Sequence, residues 1–160
     1  MPAGDGSRIN IRFAGPADAP CCADIFLHGR RAAFPWQPED RFGLDDYYDC
    51  VEGEKILVAE AAGRDTDAPA PPEVVGFISV DVAERFIHNL FIAPGWRSRG
   101  IGSALLREAL SLLRGSAELT CAARNAAARA FYEHNGWIPV PPGNPGTEAE
   151  PLVVYRKSAL

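Results

Sequence analysis

The chain has no apolar run near the roughly 20 residues that a membrane-crossing helix needs, so no membrane partner is expected of its 160 residues. Its first residues, Met1-Pro2-Ala3-Gly4-Asp5-Gly6, lack both the basic and the apolar part of a signal peptide. It also lacks an excess of positive charge. The net charge of −5 argues against nucleic acid, which needs a basic face. Cysteines are few: Cys21 and Cys22 are adjacent, and Cys50 and Cys121 stand alone. No metal-ligand spacing exists among them, so no metal is expected, and the pattern suggests reduced thiols in a cytoplasm. Internal repeats are absent as well. With an apolar fraction of 47%, a chain of this length can bury one sizeable core, and one domain over 1–160 is expected.

What the chain does have is concentrated in Leu90-Phe91-Ile92-Ala93-Pro94-Gly95-Trp96-Arg97-Ser98-Arg99-Gly100-Ile101-Gly102-Ser103-Ala104-Leu105-Leu106. An apolar strand stops at Pro94, a basic glycine turn follows, and a helix opens with Leu105, Ala109, Leu112 and Leu113 on its apolar face. Unpaired N–H groups and the dipole at a helix N-terminus attract anions. Gly100 and Gly102 allow close backbone approach, and Arg97 and Arg99 add charge. A Walker A loop would need Gly-Lys-Ser/Thr, and no lysine is here. A dinucleotide fingerprint would need a third glycine where Leu105 stands, although Glu118 lies near the distance at which a ribose-binding acid is sought.

Arg-x-x-Gly-x-Gly after an apolar strand and a proline remains, and here the chain resembles the GNAT superfamily of acyl-CoA-dependent N-acetyltransferases. In that family the motif binds the CoA pyrophosphate, and Arg97, Gly100 and Gly102 match it. A second segment, Asn125-Ala126-Ala127-Ala128-Arg129-Ala130-Phe131-Tyr132-Glu133-His134-Asn135-Gly136-Trp137, resembles the family's Asn-x-x-Ala-x-x-Phe-Tyr-x-x-x-Gly-Phe block, with Trp137 for Phe. Its helical logic stands alone, since Asn125 suits an N-cap and Gly136 a C′ position.

The expected order of elements is a strand over 8–13, a helix over 16–34, a second helix over 39–51 and a strand over 56–61. A proline-rich loop spans 62–73. Two strands over 74–82 and 86–92 form a hairpin turning near Ala83 and Glu84. The glycine turn and its helix run to Gly115, followed by a strand over 117–123 and a helix over 125–135. A loop covers 139–151 and a last strand 152–156. This order is that of the GNAT fold, an α/β (α+β) mixed twisted sheet of six to seven strands flanked by about four helices.

The resemblance implies that the strand carrying Leu90 splays from its neighbour and that the pantetheine arm lies in the gap. Backbone groups of Leu90 and Ile92 would bind it, and the Leu90 N–H would polarise the thioester carbonyl. The expected CoA site comprises Leu90, Phe91, Ile92, Arg97, Ser98, Arg99, Gly100, Ile101, Gly102, Ser103, Asn125 and Arg129. Asn125 serves either the pantetheine amides or its helix as a cap. Arg129 is either a surface residue or a contact to the 3′-phosphate. Tyr132 is either the candidate general acid for the departing thiolate or a residue that packs beside Phe131 with a local hydrogen bond. Many members of the family carry a carboxylate base at the position of Phe86, so this chain departs from the pattern. Strand alternation puts Phe86, His88 and Leu90 on one face, which makes His88 either the candidate base or a structural residue of the strand. Glu84 acting through water, or attack without a protein base, are the alternatives.

Phe34, Trp36, Tyr47 and Tyr48 cluster in sequence with Asp40, Asp45, Asp46 and Asp49. They read either as an aromatic and acidic pocket for a cationic amine, with His88 beside it, or as an amphipathic helix with a solvated acidic face. Cys121 and His134 read as structural. The expected activity is transfer of an acetyl group from acetyl-CoA to a primary amine, by direct transfer in a ternary complex, with a small-molecule acceptor and without a metal. Acetylation of protein N-termini or lysines, a non-catalytic acyl-CoA-binding regulatory module, and nucleotide binding through the glycine turn are the other readings. A homodimer is compatible with the resemblance.

Overall fold

The computed structural model describes residues 8–62, 71–141 and 146–158. The chain runs β1 (Arg8–Phe13), α1 (Ala19–Ala33), α2 (Asp46–Cys50), β2 (Lys55–Ala62), β3 (Glu73–Asp81), β4 (Phe86–Ile92), α3 (Ile101–Leu112), β5 (Ser116–Ala122), α4 (Ala126–His134), β6 (Ile138–Val140) and β7 (Leu152–Ser158). Single 3-10 turns cover Pro16–Asp18 and Glu39–Arg41. The seven strands form one sheet in the order β1-β2-β3-β4-β5-β7-β6. All neighbours are antiparallel except β4 and β5. A parallel pair needs a crossover, and α3 supplies it.

Two apolar clusters sandwich the sheet. β3 is buried on both faces, as its near-continuous apolar run Val-Val-Gly-Phe-Ile-Ser-Val requires. On one face Ile101, Leu105, Leu106, Ala109 and Leu113 of α3 and its C-terminal end pack on Ile78, Val80, Ile87, Leu119 and Tyr155. On the other face Cys22, Ile25 and Phe26 of α1, spaced as one helical stripe, pack with Tyr47 on Val58 and Phe77. Both helix ends that frame the site follow from sequence. Asn125 Oδ1 accepts from Ala128 N at 3.1 Å and caps α4, and Gly136, at φ +86°, sits just past its C-terminal end.

Two expectations need correction. The second helix over 39–51 is instead a 3-10 turn and a short α2, because Phe42 is extended and buried between them. The segment from Pro139 is not all loop. Ile138–Val140 pairs with 154–156 of β7 as an edge strand, and an edge tolerates Pro139 because one side of the strand needs no donor.

Arg12 ties the first strand to its surroundings. Its guanidinium meets both oxygens of Asp18, at 2.7 and 3.0 Å, and Glu60 Oε2 at 3.0 Å from Nε. These hydrogen bonds hold the Asp18 and Glu60 carboxyls below their ordinary range. Arg12→Met is expected to cost about 1 kcal/mol after solvent screening, or roughly 2–4 °C in Tm for a chain of this size. The depressed carboxylates contribute stability that is present above the ordinary carboxylate range, about pH 4, and is lost as pH falls through their lowered folded values. Thermal melts across pH 2–7 should therefore show wild type and variant converging at the acid end.

Candidate active site

The site is built on one interruption. β4 and β5 pair only at Phe86↔Glu118 and Ile87↔Leu119, although β4 continues to Ile92 and β5 to Ala122. Past Ile87 the strands part, and a cleft of about 660 Å³ occupies the gap. Leu90, Phe91 and Ile92 form one wall, and the glycine turn with the start of α3 forms its end. Asn125, Phe131, Tyr132 and His134 of the α4 segment face them, and Gly29, Ala32 and Ala33 of α1 complete the lining.

The glycine turn has an anion-binding shape. Gly95, Ser98 and Gly100 all have left-handed φ, at +87°, +63° and +82°. Such alternation turns backbone N–H groups toward one concavity. Gly100 is the N-cap of α3, and the first helical bond runs from Ala104 N to Gly100 O at 3.0 Å. The N–H groups at the start of the helix therefore have no intrahelical acceptor. Nothing lies within 4 Å of where a Cβ on Gly100 would sit, so that glycine is needed for its φ. A Cβ on Gly102 would meet the Phe131 ring at 3.0 Å, so that glycine is needed for the approach of α4. Arg97, Ser98, Gly100, Ile101, Gly102 and Ser103 line the cleft.

Two basic residues stand elsewhere. The Arg99 guanidinium lies over the Trp96 ring at 4.7 Å. Arg129 is not in the lining, because its Nε donates to Tyr155 Oη at 3.3 Å and its Nη1 to the Ala123 carbonyl at 3.5 Å. Asn125 spends its carbonyl oxygen on the helix cap and still borders the cleft.

At the far end of the cleft Tyr132 is ringed by Phe131, Tyr155 and Trp137, with centroids 5.3 to 6.3 Å away. Burial, reinforced by nearby Cys121, pushes its phenol well above the ordinary value and keeps it protonated at neutral pH. No hydrogen bond to its hydroxyl forms among the described residues. Burial likewise pushes the Cys121 thiol up to about 11, in keeping with a structural role.

The alternation expected along β4 fails at His88. Ser79 pairs with Asn89 and Val80 with Ile87, so β4 carries one extra residue against β3, a β-bulge. Ile87, Leu90 and Ile92 consequently pack on the α3 side. Phe86, His88, Asn89 and Phe91 belong to the α1 side: the Phe86 and His88 rings meet at 4.7 Å, Asn89 Nδ2 donates to Ser79 Oγ at 2.8 Å, and Phe91 packs against Phe26. His88 thus does not share a face with the Leu90 side chain. It meets Glu54, whose Oε2 lies 3.1 Å from His88 Nδ1. Glu84, the alternative base, sits exposed in the β3–β4 turn, its N–H bonded to Asp81 Oδ1.

On that same α1-side face Phe86, Glu118, Thr120, Val140, Leu152, Val154 and Arg156 line a second groove of about 440 Å³, crossed by a 2.8 Å bond from Arg156 Nε to Glu118 Oε2. The four expected acceptor aromatics line neither cavity. Tyr47 is 2% exposed, wedged between Phe26 and Phe77 in the core, and Tyr48 lies against it, half exposed. Phe34 packs on Trp36. The Trp36 indole N–H donates to Glu150 Oε1 at 3.2 Å, and Gln37 Nε2 donates to the same oxygen. Arg124 lies over the Trp36 ring. Asp46 serves Arg30 and the Gly43 N–H.

Sequence reasoning missed Gly29, Ala32, Ala33, His134 and Glu54. Gly29 carries a readable signal. A glycine inside a helix costs about 1 kcal/mol against alanine, and a Cβ there would overlap the Phe91 ring. No local pattern marks Glu54, which a tertiary contact selects.

Residues 23–137 match the profile of the Acetyltransferase (GNAT) family, and the chain belongs to that family. It is an acyltransferase by that membership. It is 35% identical to an uncharacterized N-acetyltransferase from Archaeoglobus fulgidus over 108 residues, 56% of this chain and 74% of that one. It is 44% identical to a mycothiol acetyltransferase from Beutenbergia cavernae over 64 residues, 38% of this chain; the match spans only about a fifth (22%) of that relative. Among solved structures the fold is similar to apo YjaB from Escherichia coli, with a TM-score of 0.70, 18% identity, and 96% and 98% of the two chains covered. It is also similar to PaiA N-acetyltransferase from Thermoplasma acidophilum in complex with coenzyme A, with a TM-score of 0.65, 15% identity, and 94% and 99% covered. No helix among the described residues is long and apolar enough to cross a membrane.

Coenzyme A at a hundredfold excess over its Kd is expected to stabilise the protein by about 2.7 kcal/mol. Gly100→Asp is expected to abolish that shift in a thermal melt, since it sets a negative charge and a strained φ at the N-terminus of α3, while the space around Gly100 leaves the fold intact. No shift on wild type would mean that the turn does not hold the donor.

Proposed function

We propose that the protein transfers an acetyl group from acetyl-CoA directly to the primary amine of a small molecule, both substrates being bound together. The observation that carries this reading is the placing of two cavities about the β4–β5 gap. One runs to the anion-binding turn, and the other lies on the α1-side face of the sheet. Donor and acceptor can then meet where the strands part, without an acyl-enzyme intermediate. No cysteine lines either cavity. The four thiols are free, which fits a reducing compartment such as the cytoplasm.

The diphosphate would sit on the glycine turn and the pantetheine along β4, adding to the strand edge that β5 leaves unpaired. The Leu90 N–H would hold the thioester oxygen, a contribution of about 3 kcal/mol for one such donor. His88 would take one proton from the ammonium to free its lone pair. The amine nitrogen then bonds to the carbonyl carbon, the carbon–sulfur bond breaks, and the thiolate takes the Tyr132 proton. The proton shed by the new amide nitrogen restores the phenol, and the His88 proton leaves to solvent.

A groove of about 440 Å³ suits a small acceptor. A panel of small amines, N-terminal peptides and lysine peptides, scored by thiol release from acetyl-CoA, separates this from protein acetylation. Release with none of them would favour a binding module. Tyr132→Phe is expected to lower kcat by roughly 10²–10⁴ with little change in acetyl-CoA binding, because acid assistance acts only in the transition state. An unchanged single-turnover rate would remove Tyr132 from the mechanism.

A further inference from the structure

We propose that Glu54 is a positioning residue for acetyl transfer: it fixes His88 as the tautomer that carries its proton on Nδ1 and presents a bare Nε2 to the acceptor amine. This rests on the reading of the protein as an amine acetyltransferase with His88 as base.

Four observations carry it. Glu54 follows the turn after α2, where its N–H bonds to the Val51 carbonyl, and its side chain is only 7% exposed. A carboxylate so buried is costly unless something pairs with it. Its Oε2 meets His88 Nδ1 at 3.1 Å, while Oε1 is buried with no partner among the described residues. One donor for two oxygens leaves a site that complements the charge the ring gains on taking a proton. Second, an ionised carboxylate can only accept. A hydrogen carried on Nδ1 would lie toward Oε2, and in the neutral ring the lone pair would then sit on Nε2. Third, the β4 bulge places His88 and Asn89 on this face together, where unbroken alternation would leave only one of them on it. Fourth, the His88 side chain is 43% exposed, and its ring touches Phe86, which lines the acceptor-side groove. The ring thus lies against Glu54 at Nδ1 while its side chain stays partly exposed, although it lines neither cavity. Glu54 itself is too buried to meet substrate and acts through His88, in the manner of a carboxylate that orients a catalytic imidazole.

The test begins without turnover. The chain has three histidines, so nitrogen-15 shifts of labelled His28, His88 and His134 at pH 9, assigned by single substitutions, read the tautomer of each. His88 is expected to be protonated on Nδ1 in wild type and in Glu54→Gln, whose amide oxygen still accepts. In Glu54→Ala it should relax to the mixture of a free imidazole. Steady-state assays should then give a kcat lower by about 10²-fold in Glu54→Ala, the low end of what a positioned base contributes. The loss should be smaller in Glu54→Gln, and KM for acetyl-CoA should be unchanged in both. Melting temperatures show which variants remain folded, and Glu54→Gln keeps the question answerable if Glu54→Ala does not. A proton on Nε2 of wild-type His88 overturns the proposal, as does a spectrum indifferent to Glu54→Ala. If His88→Ala lowers kcat and neither Glu54 variant does, Glu54 has no positioning role although the base survives. If His88→Ala leaves kcat intact, the base reading fails and takes the proposal with it, while acetyl transfer itself still stands.

Discussion

Between β4 and β5 two residue pairs hold the sheet together, and everything beyond them is open. Backbone N–H and C=O groups cannot stay buried and unpaired. A strand edge inside a sheet that finds no neighbour must meet water or a ligand. Each wall of the cleft exists because of that parting. α3 crosses over it to connect the only parallel pair among the described strands, and its N-terminus therefore opens at the mouth of the gap. α4 follows β5 and comes down on the far side. A ladder continued by a few more pairs would give a sounder sheet and no site.

Small residues then decide how close the walls come. Gly29 lets the Phe91 ring lie against α1, Gly76 admits Ile92 beside β3, and Gly102 admits Phe131 beside α3. Large side chains at these positions would push the helices away from β4 and widen the gap. The two faces of the sheet differ in character. The α3 side is an apolar core that meets the cleft at Leu90 and Tyr132. The α1 side, next to the bulge, holds a polar cluster of Glu54, Ser79, His88 and Asn89. The polar groups beside the bulge thus lie on the face that carries the second groove.

Much of this was legible in the sequence, for identifiable reasons. Helix α4 announces itself because Asn125 and Gly136 satisfy the two ends by local chemistry. The glycine turn is legible because its left-handed positions and following helix are contiguous. The failures have a common cause, which is long-range packing. Phe42 is drawn into the core and breaks the second helix, and Tyr47, which reads as a pocket residue, fills the space beneath α1. The bulge at His88 depends on how β4 aligns with β3, and nothing within β4 records it. A three-residue edge strand containing Pro139 has no periodicity long enough to read. Glu54 becomes noteworthy only when His88, distant in sequence, arrives beside it.

The bond from Trp36 to Glu150 joins residues 114 positions apart. Closing so long a loop repays its entropy only after the intervening sheet is in place. The cleft that ends at the glycine turn, by contrast, takes most of its lining from the stretch between β4 and His134 and only Gly29, Ala32 and Ala33 from α1. The contact between the 34–37 segment and Glu150 is therefore expected to be among the later ones to form.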